Sequence, residues 1–267
     1  MTPSAGESEV PAASGGNLAR LDAELLRFVA EMHGVQVDQL AALVADRAKP
    51  ADEAAVVARE LVASWRAAGN ADTGQLSLGE PWVWATRKGL DACGLKAKLV
   101  KPSPRALRHT HAVTDVRIAV ERADVFREGG AWWRPERLIW SGLEFPIETQ
   151  HVPDGELHWP DGSGLPWAGE VWAVEVEISH KTIETSARIM QEVLTQTGAS
   201  GGVPAGGPGP ALAPRYARLV YVCSSITVRR VLHARAEVGS PLSARIDIYD
   251  LPVAAIRFQT PKRGWQS

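Results

Sequence analysis

The chain has 267 residues, 45% hydrophobic and 22% charged, with a formal net charge of -2 and an isoelectric point near 6.4. That length supplies one large domain or two ordinary ones, each with a core, and the near-balanced charge argues against a protein that simply coats DNA. No apolar run approaches the roughly 18 residues of a membrane span, and the N-terminus lacks the basic start and apolar core of a signal peptide, so a cytoplasmic protein with no membrane partner is expected.

Residues 1–17 are small and polar and are expected to form a disordered tail. Between 18 and 95 the pattern predicts three helices and a small β element. Leu18, Leu21, Leu25, Leu26, Phe28 and Val29 lie at helical spacing, a short helix follows Gly34, and a third runs from about Asp52 to Ala68. Extended pieces are expected at Gln75–Leu78 and Trp82–Ala85, closed by a helix over RKGLDAC. Three helices plus a β-hairpin is the layout of a winged helix-turn-helix. The third helix carries Arg59 and Arg66 but also Asp52, Glu53 and Glu60, which is poor chemistry for reading DNA, so contact with another protein or homodimerisation stands beside DNA binding.

Residues 96–104 read as a basic linker. Lys96, Lys98, Lys101, Arg105 and Arg108 follow one another without an acid, and Arg229 and Arg230 belong to a second acid-free basic stretch; together they are candidate DNA contacts, or else solvated linker and helix faces. Cys93 and Cys223 are isolated and read as small apolar residues of a reducing compartment.

The second domain, 105–258, is expected to begin with a helix from Arg105 to about Ala123, with Ala112, Val116, Ala119, Val120 and Ala123 as its buried stripe. A strand over AWWRPERLIW, strands near Asp154 and at Val171–Ile178, and then helix, strand, helix and strand give the order α-β-β-β-α-β-α-β of an α/β sheet. A flexible Gly/Pro/Ala insertion is expected at 198–214 and a short tail at 259–267. Of the ten tryptophans, Trp132, Trp133, Trp140, Trp159, Trp167 and Trp172 crowd one region, as core packing or as a base-stacking surface.

The chemistry concentrates between 148 and 181. Alternation along a strand sends Glu175 and Glu177 to one face and Val174, Val176 and Ile178 to the other. Paired carboxylates repel unless a cation lies between them, and Mg²⁺ or Mn²⁺ takes hard oxygen ligands of this kind. The alternative is a solvated sheet face paired with arginines. Pro153-Asp154-Gly155 offers Asp154 as a further ligand; Asp161, in the second Pro-Asp-Gly, is its rival, although Gly162-Ser163-Gly164 after it reads as a turn.

These residues resemble the core of the PD-(D/E)XK nucleases, with Asp154 in the Asp position, Glu175 opening the (D/E)-x-K position, Glu177 where Lys is usual, and Lys181 able to reach back as a migrated lysine. The resemblance implies metal binding by Asp154 and Glu175, with Glu177 and Lys181 completing a catalytic set. It also makes His111, Asp115 or Glu121 of the preceding helix candidate accessory groups. With the helical first domain and the basic connection, the whole resembles the replication-relaxation family of mobile elements: a winged helix-turn-helix followed by an α/β PD-(D/E)XK-like domain. That resemblance implies a DNA-processing protein of plasmid replication, relaxation or mobilisation, whose partners are DNA and other plasmid replication or transfer proteins. The expected activity is a metal-dependent endonuclease or nickase; the alternative is a non-catalytic DNA-binding or adaptor protein on a degenerate nuclease scaffold. A tyrosine relaxase fits less well, because Tyr216, Tyr221 and Tyr249 fall on or beside probable strands and no His-x-His-x-x-x-His cluster occurs.

Overall fold

Leu21, Leu25, Phe28 and Val29 recur at helical spacing and are buried along one helix, Ala13–Glu31 (α1). The helix backbone starts five residues inside the stretch expected to be tail, because apolar periodicity marks where a helix packs rather than where it begins. The computed structural model describes residues 13–47, 49–77, 79–142, 151–197 and 214–251, with the side chains described from residue 19. Residues 198–213 of the loop expected at 198–214, and the tail at 259–267, lie outside the described residues. The chain divides into two units: Met1–Ala30 with Gln36–Leu99, and Glu31–Val35 with Val100–Ser267.

In the first unit α1 is followed by β1 (Val35–Gln36), α2 (Val37–Arg47), α3 (Ala51–Ala67), β2 (Ala71–Gly74), β3 (Trp82–Ala85) and α4 (Arg87–Ala92). Leu40 and Leu43 of α2 and Ala58, Val62 and Trp65 of α3 are buried, and Trp65 Nε1 donates to Asp22 Oδ1. The strand expected at Gln75–Leu78 is displaced. Instead Ala71–Gly74 pairs antiparallel with Trp82–Ala85, and Gln75 turns its amide onto the carbonyls of Ser77 (2.5 Å) and Gly79 (3.0 Å) to build the hairpin loop. Thr86 caps α4 by accepting the Gly89 N–H at 3.2 Å. A Cβ at Gly89 would strike the Asn70 carbonyl, so only glycine lets α4 sit this close.

The second unit runs α5 (Leu107–Arg122), α6 (Asp124–Glu128), β4 (Trp132–Pro135), α7 (Glu136–Ser141), β5 (Gly155–His158), β6 (Val171–Glu177), α8 (Ile183–Thr195), β7 (Arg218–Ser224), α9 (Val228–Val238) and β8 (Ile246–Leu251). It is an α+β arrangement on a mixed five-stranded sheet in the order β4-β5-β6-β7-β8, antiparallel across the first three strands and parallel across the last three. The strand expected from 131 to 140 stops at Pro135. Proline cannot continue donating to a ladder but suits a helix start, Glu136 is an acid in the first turn, and Trp140 Nε1 donates back to Glu136 Oε1 at 3.1 Å, so the second half is the helix α7.

Ala173, Leu219, Tyr221 and Cys223 face α8 and α9, where Met190, Val193, Leu194 and Ala234 close a core. Trp159, Trp167 and Trp172 pack on one another with ring centroids 5.1–5.5 Å apart and are buried, as is Trp133. Trp132 and Trp140 are not; they are 50% and 43% exposed. Among the described residues no helix is long and apolar enough to cross a membrane, and Cys93 and Cys223 are not joined in a disulfide.

Candidate functional site

The register of β5 against β6 places the site. The antiparallel pairing ends at Gly155↔Val174, and Asp154 continues it with its side chain, accepting the Val176 N–H on Oδ2 at 2.8 Å. A Cβ at Gly155 would collide with the Trp133 indole, which explains the glycine after Asp154. Beside it, Glu175 and Glu177 share one face of β6 opposite Tyr221 and Cys223, and they are only 4% and 3% exposed. The solvated-face alternative therefore fails: from Trp172 to Glu177 the side chains on both faces of β6 are buried.

Two histidines meet these carboxylates. His109 Nε2 lies 2.8 Å from Asp154 Oδ1, and His151 Nε2 lies 2.7 Å from Glu175 Oε1. Burial opposes charging His109, but the hydrogen bond and charge of Asp154, with Glu175 and Glu136 behind it, outweigh burial and raise its pKa. His151 is likewise raised: burial works against it, and Glu175 wins. Glu175 moves the other way from a paired carboxylate. Burial, reinforced by the charge of Asp154, pushes it up to about 7 despite His151 and Lys181. Glu136 is also raised, by burial and then by Asp154, which places a third carboxylate within electrostatic reach.

Lys181 Nζ stands 2.7 Å from Glu177 Oε2, so the lysine four residues on does return to the strand. Its pKa is raised because Glu177 and the other carboxylates outweigh burial. Tyr221 is fully buried and its hydroxyl has no hydrogen-bond partner among the described residues; burial and the charges of Glu175 and Glu177 raise its pKa well above the ordinary value. The Cys223 thiol, opposite Glu177, is pushed up to about 12 by burial and that charge, which removes it as a nucleophile. An open cleft of about 330 Å³, lined by Met32, His33, His109, Val113, Glu136 and Asp154, reaches the Asp154 carboxylate.

Asp154, Glu175, Glu177 and Lys181 lie together at one end of β6, and the accessory candidates make their contacts elsewhere. His111 pairs with Asp115 at 3.0 Å, four residues away on α5, and Glu121 is held by the buried Arg117 at 2.7 Å. The histidine of α5 that reaches the site is His109. It falls at i-3 and i-7 from Ala112 and Val116 of the buried stripe, whereas His111 falls off it, so the helical spacing held the signal. His151 carried no local signal, and Glu136 was hidden by reading its segment as strand. Asp161 is exposed in the turn between β5 and β6.

Among the candidate DNA contacts, Lys96 and Lys98 belong to the first unit, and Lys101, Arg105 and Arg108 to the second; all five are exposed. Arg229 and Arg230 are exposed at the start of α9. Arg230 Nη1 donates to the Lys181 carbonyl at 3.4 Å, and Thr227 Oγ1 donates to the Glu177 carbonyl at 2.6 Å, which ties these cations to the rim of the site.

The donor set suits a hard divalent cation: Asp154 and Glu175 are neighbouring carboxylates, and burial together with the charge of Asp154 raises Glu175 to about 7. Among the described residues, no three His, Cys, Asp or Glu side chains are already grouped as a metal shell.

These features define a class: an α+β protein whose mixed five-stranded sheet carries buried carboxylates met by part-exposed histidines. No family model matches the chain, and no curated protein or solved structure is significantly similar to it.

Proposed function

We propose that the second unit is a metal-dependent DNA endonuclease or nickase of the PD-(D/E)XK type, acting with plasmid replication or transfer proteins. The observation that carries the reading is the crowding of Asp154 and Glu175 on adjacent strands, with Glu175 pushed up to about 7. Functional carboxylates are gathered in this way, whereas structural ones are paired off. The helix-strand order around the five-stranded sheet supports it, as do the exposed Arg229 and Arg230 on the rim.

Asp154 and Glu175 would hold Mg²⁺ or Mn²⁺, which supplies charge neutralisation and a more acidic bound water. Lys181, fixed by Glu177, stands ready to offset charge developing on a phosphate. His109 and His151 orient the two carboxylates and hold protons at Nε2 beside them. The helices and hairpin of the first unit suit a winged helix-turn-helix that contacts DNA or a second copy of the chain.

A second reading, a non-catalytic DNA-binding or adaptor protein, is favoured by one observation. Protein groups already engage the site carboxylates: His109 and Val176 N on Asp154, His151 on Glu175 and Lys181 on Glu177. Supercoiled plasmid incubated with the protein and Mn²⁺ separates the two. The nuclease reading expects nicked or linear product that falls at least about 100-fold in Asp154→Ala, and a Mn²⁺-dependent rise in melting temperature that the variant loses. DNA binding with neither cleavage nor a metal shift would leave the adaptor.

A further inference from the structure

We propose that Trp132, stacked on His158, is a platform for an unpaired nucleobase of single-stranded DNA. This rests on the nucleic-acid reading above and deepens it by naming the form of the substrate. Trp132 sits on the edge strand β4, opposite His158 of β5, and the two rings stack with centroids 3.8 Å apart at an interplanar angle of 12°. One face of the indole is covered by the imidazole, yet the residue stays 50% exposed. An indole left half in water forgoes much of the burial that draws tryptophan inward, and the other four tryptophans of this region apart from Trp140 are buried.

The platform is rigid. His158 Nε2 is 2.9 Å from Glu156 Oε2, and Glu156, with a side chain 1% exposed, is gripped by Arg215 at 2.6 and 3.1 Å, by the Tyr216 hydroxyl at 2.8 Å and by Arg134 at 3.5 Å. Burial opposes the Glu156 charge, but His158, Arg215 and Tyr216 overcome it, so it is a carboxylate at neutral pH. Around Glu156, which His158 touches, two guanidiniums face one carboxylate, a local surplus of +1 even with His158 neutral. Glu170, on the adjoining turn, is engaged by Trp172 Nε1 at 2.6 Å and lies within electrostatic reach of Arg245, so it does not reverse that sign. A flat open ring beside partly exposed guanidiniums is the chemistry that takes a base and its phosphate. His158 lies four positions beyond Asp154, roughly 13 Å along the strand, so a single strand held here can extend to the carboxylates.

Fluorescence anisotropy with labelled oligo-dT and with a blunt duplex tests this, using the full chain, Trp132→Ala, Trp132→Phe and Trp132→Leu. Single-strand binding should weaken about 10-fold in Trp132→Ala, stay close to wild type in Trp132→Phe, and duplex binding should not change. Quenching of 2-aminopurine placed in the strand should be seen with the wild type and with Trp132→Phe, and be lost in Trp132→Leu, which keeps apolar bulk without a ring. Undiminished single-strand binding and quenching in the Ala and Leu variants would overturn the platform while leaving DNA binding intact. Equal losses for single strand and duplex would overturn it as a reader of unpaired bases. A wild type that binds neither DNA removes the nucleic-acid reading itself, and this inference with it.

Discussion

Glu156 and Glu175 sit on neighbouring strands of one sheet, both buried, and their carboxyl groups are driven in opposite directions. Glu156 falls to about 2, because two arginines, a histidine and a tyrosine hydroxyl meet it. Glu175 rises to about 7, because burial and the charge of Asp154 outweigh His151 and Lys181. Burial is the first influence on both and pushes both upward, so the difference is one of counter-charge. A buried carboxylate with enough cations supports the sheet as an anion; one gathered with another carboxylate holds its proton toward neutral pH.

The largest expected effect breaks the satisfied side of this contrast. Arg215→Ala should destabilise the fold by about 3 kcal/mol, because it strands a buried ionised Glu156; a chemical denaturation midpoint near that of the wild type would show that Glu156 does not depend on its arginine. Glu156 should also govern acid stability. Its folded pKa lies below the unfolded value of 4.5, so its contribution, on the order of 3 kcal/mol, is present above about 4.5 and is lost as pH falls toward about 2. Urea melts across that window should fall steeply for the wild type and be flatter for Glu156→Gln.

Glu175 carries the opposite sign. Its folded pKa is raised, so the fold loses stability as pH rises from 4.5 to about 7 and does not regain it above. Glu175→Gln should therefore melt higher than wild type at pH 8 by roughly 10 °C, show no gain at pH 4, and lose the proposed cleavage. An equal gain at both pH values would mean that the charge of Glu175 costs the fold nothing. The smallest effect is expected at Lys181, whose side chain is 35% exposed. Lys181→Ala should cost no more than about 1 kcal/mol while reducing cleavage far more than stability, which separates a role at the site from a role in the sheet.

Much of the second unit was legible because period-two and helical spacing are local. The alternation at Val171–Glu177, the helix stripe through Ala112 and Val116, and the strand over RLVYVCS all appear where the pattern puts them. The failures were local as well as long-range. Trp132–Ser141 is apolar enough to read as one strand, yet Pro135 divides it into strand and helix, and β2 of the first unit lies upstream of its predicted place because pairing with Trp82–Ala85 fixed its register.

By itself the sequence determined the succession of the five strands of the second unit and the shared face of Glu175 and Glu177, since these follow from local patterning and a period of two. Only the tertiary structure decided that this face is buried, that His109 and not His111 meets Asp154, that His151 meets Glu175, and that Glu156 rather than Glu175 receives the arginines. Such contacts join residues 24 to 59 positions apart, and their energies depend on burial and on which charges a third element brings near, neither of which is written in local order.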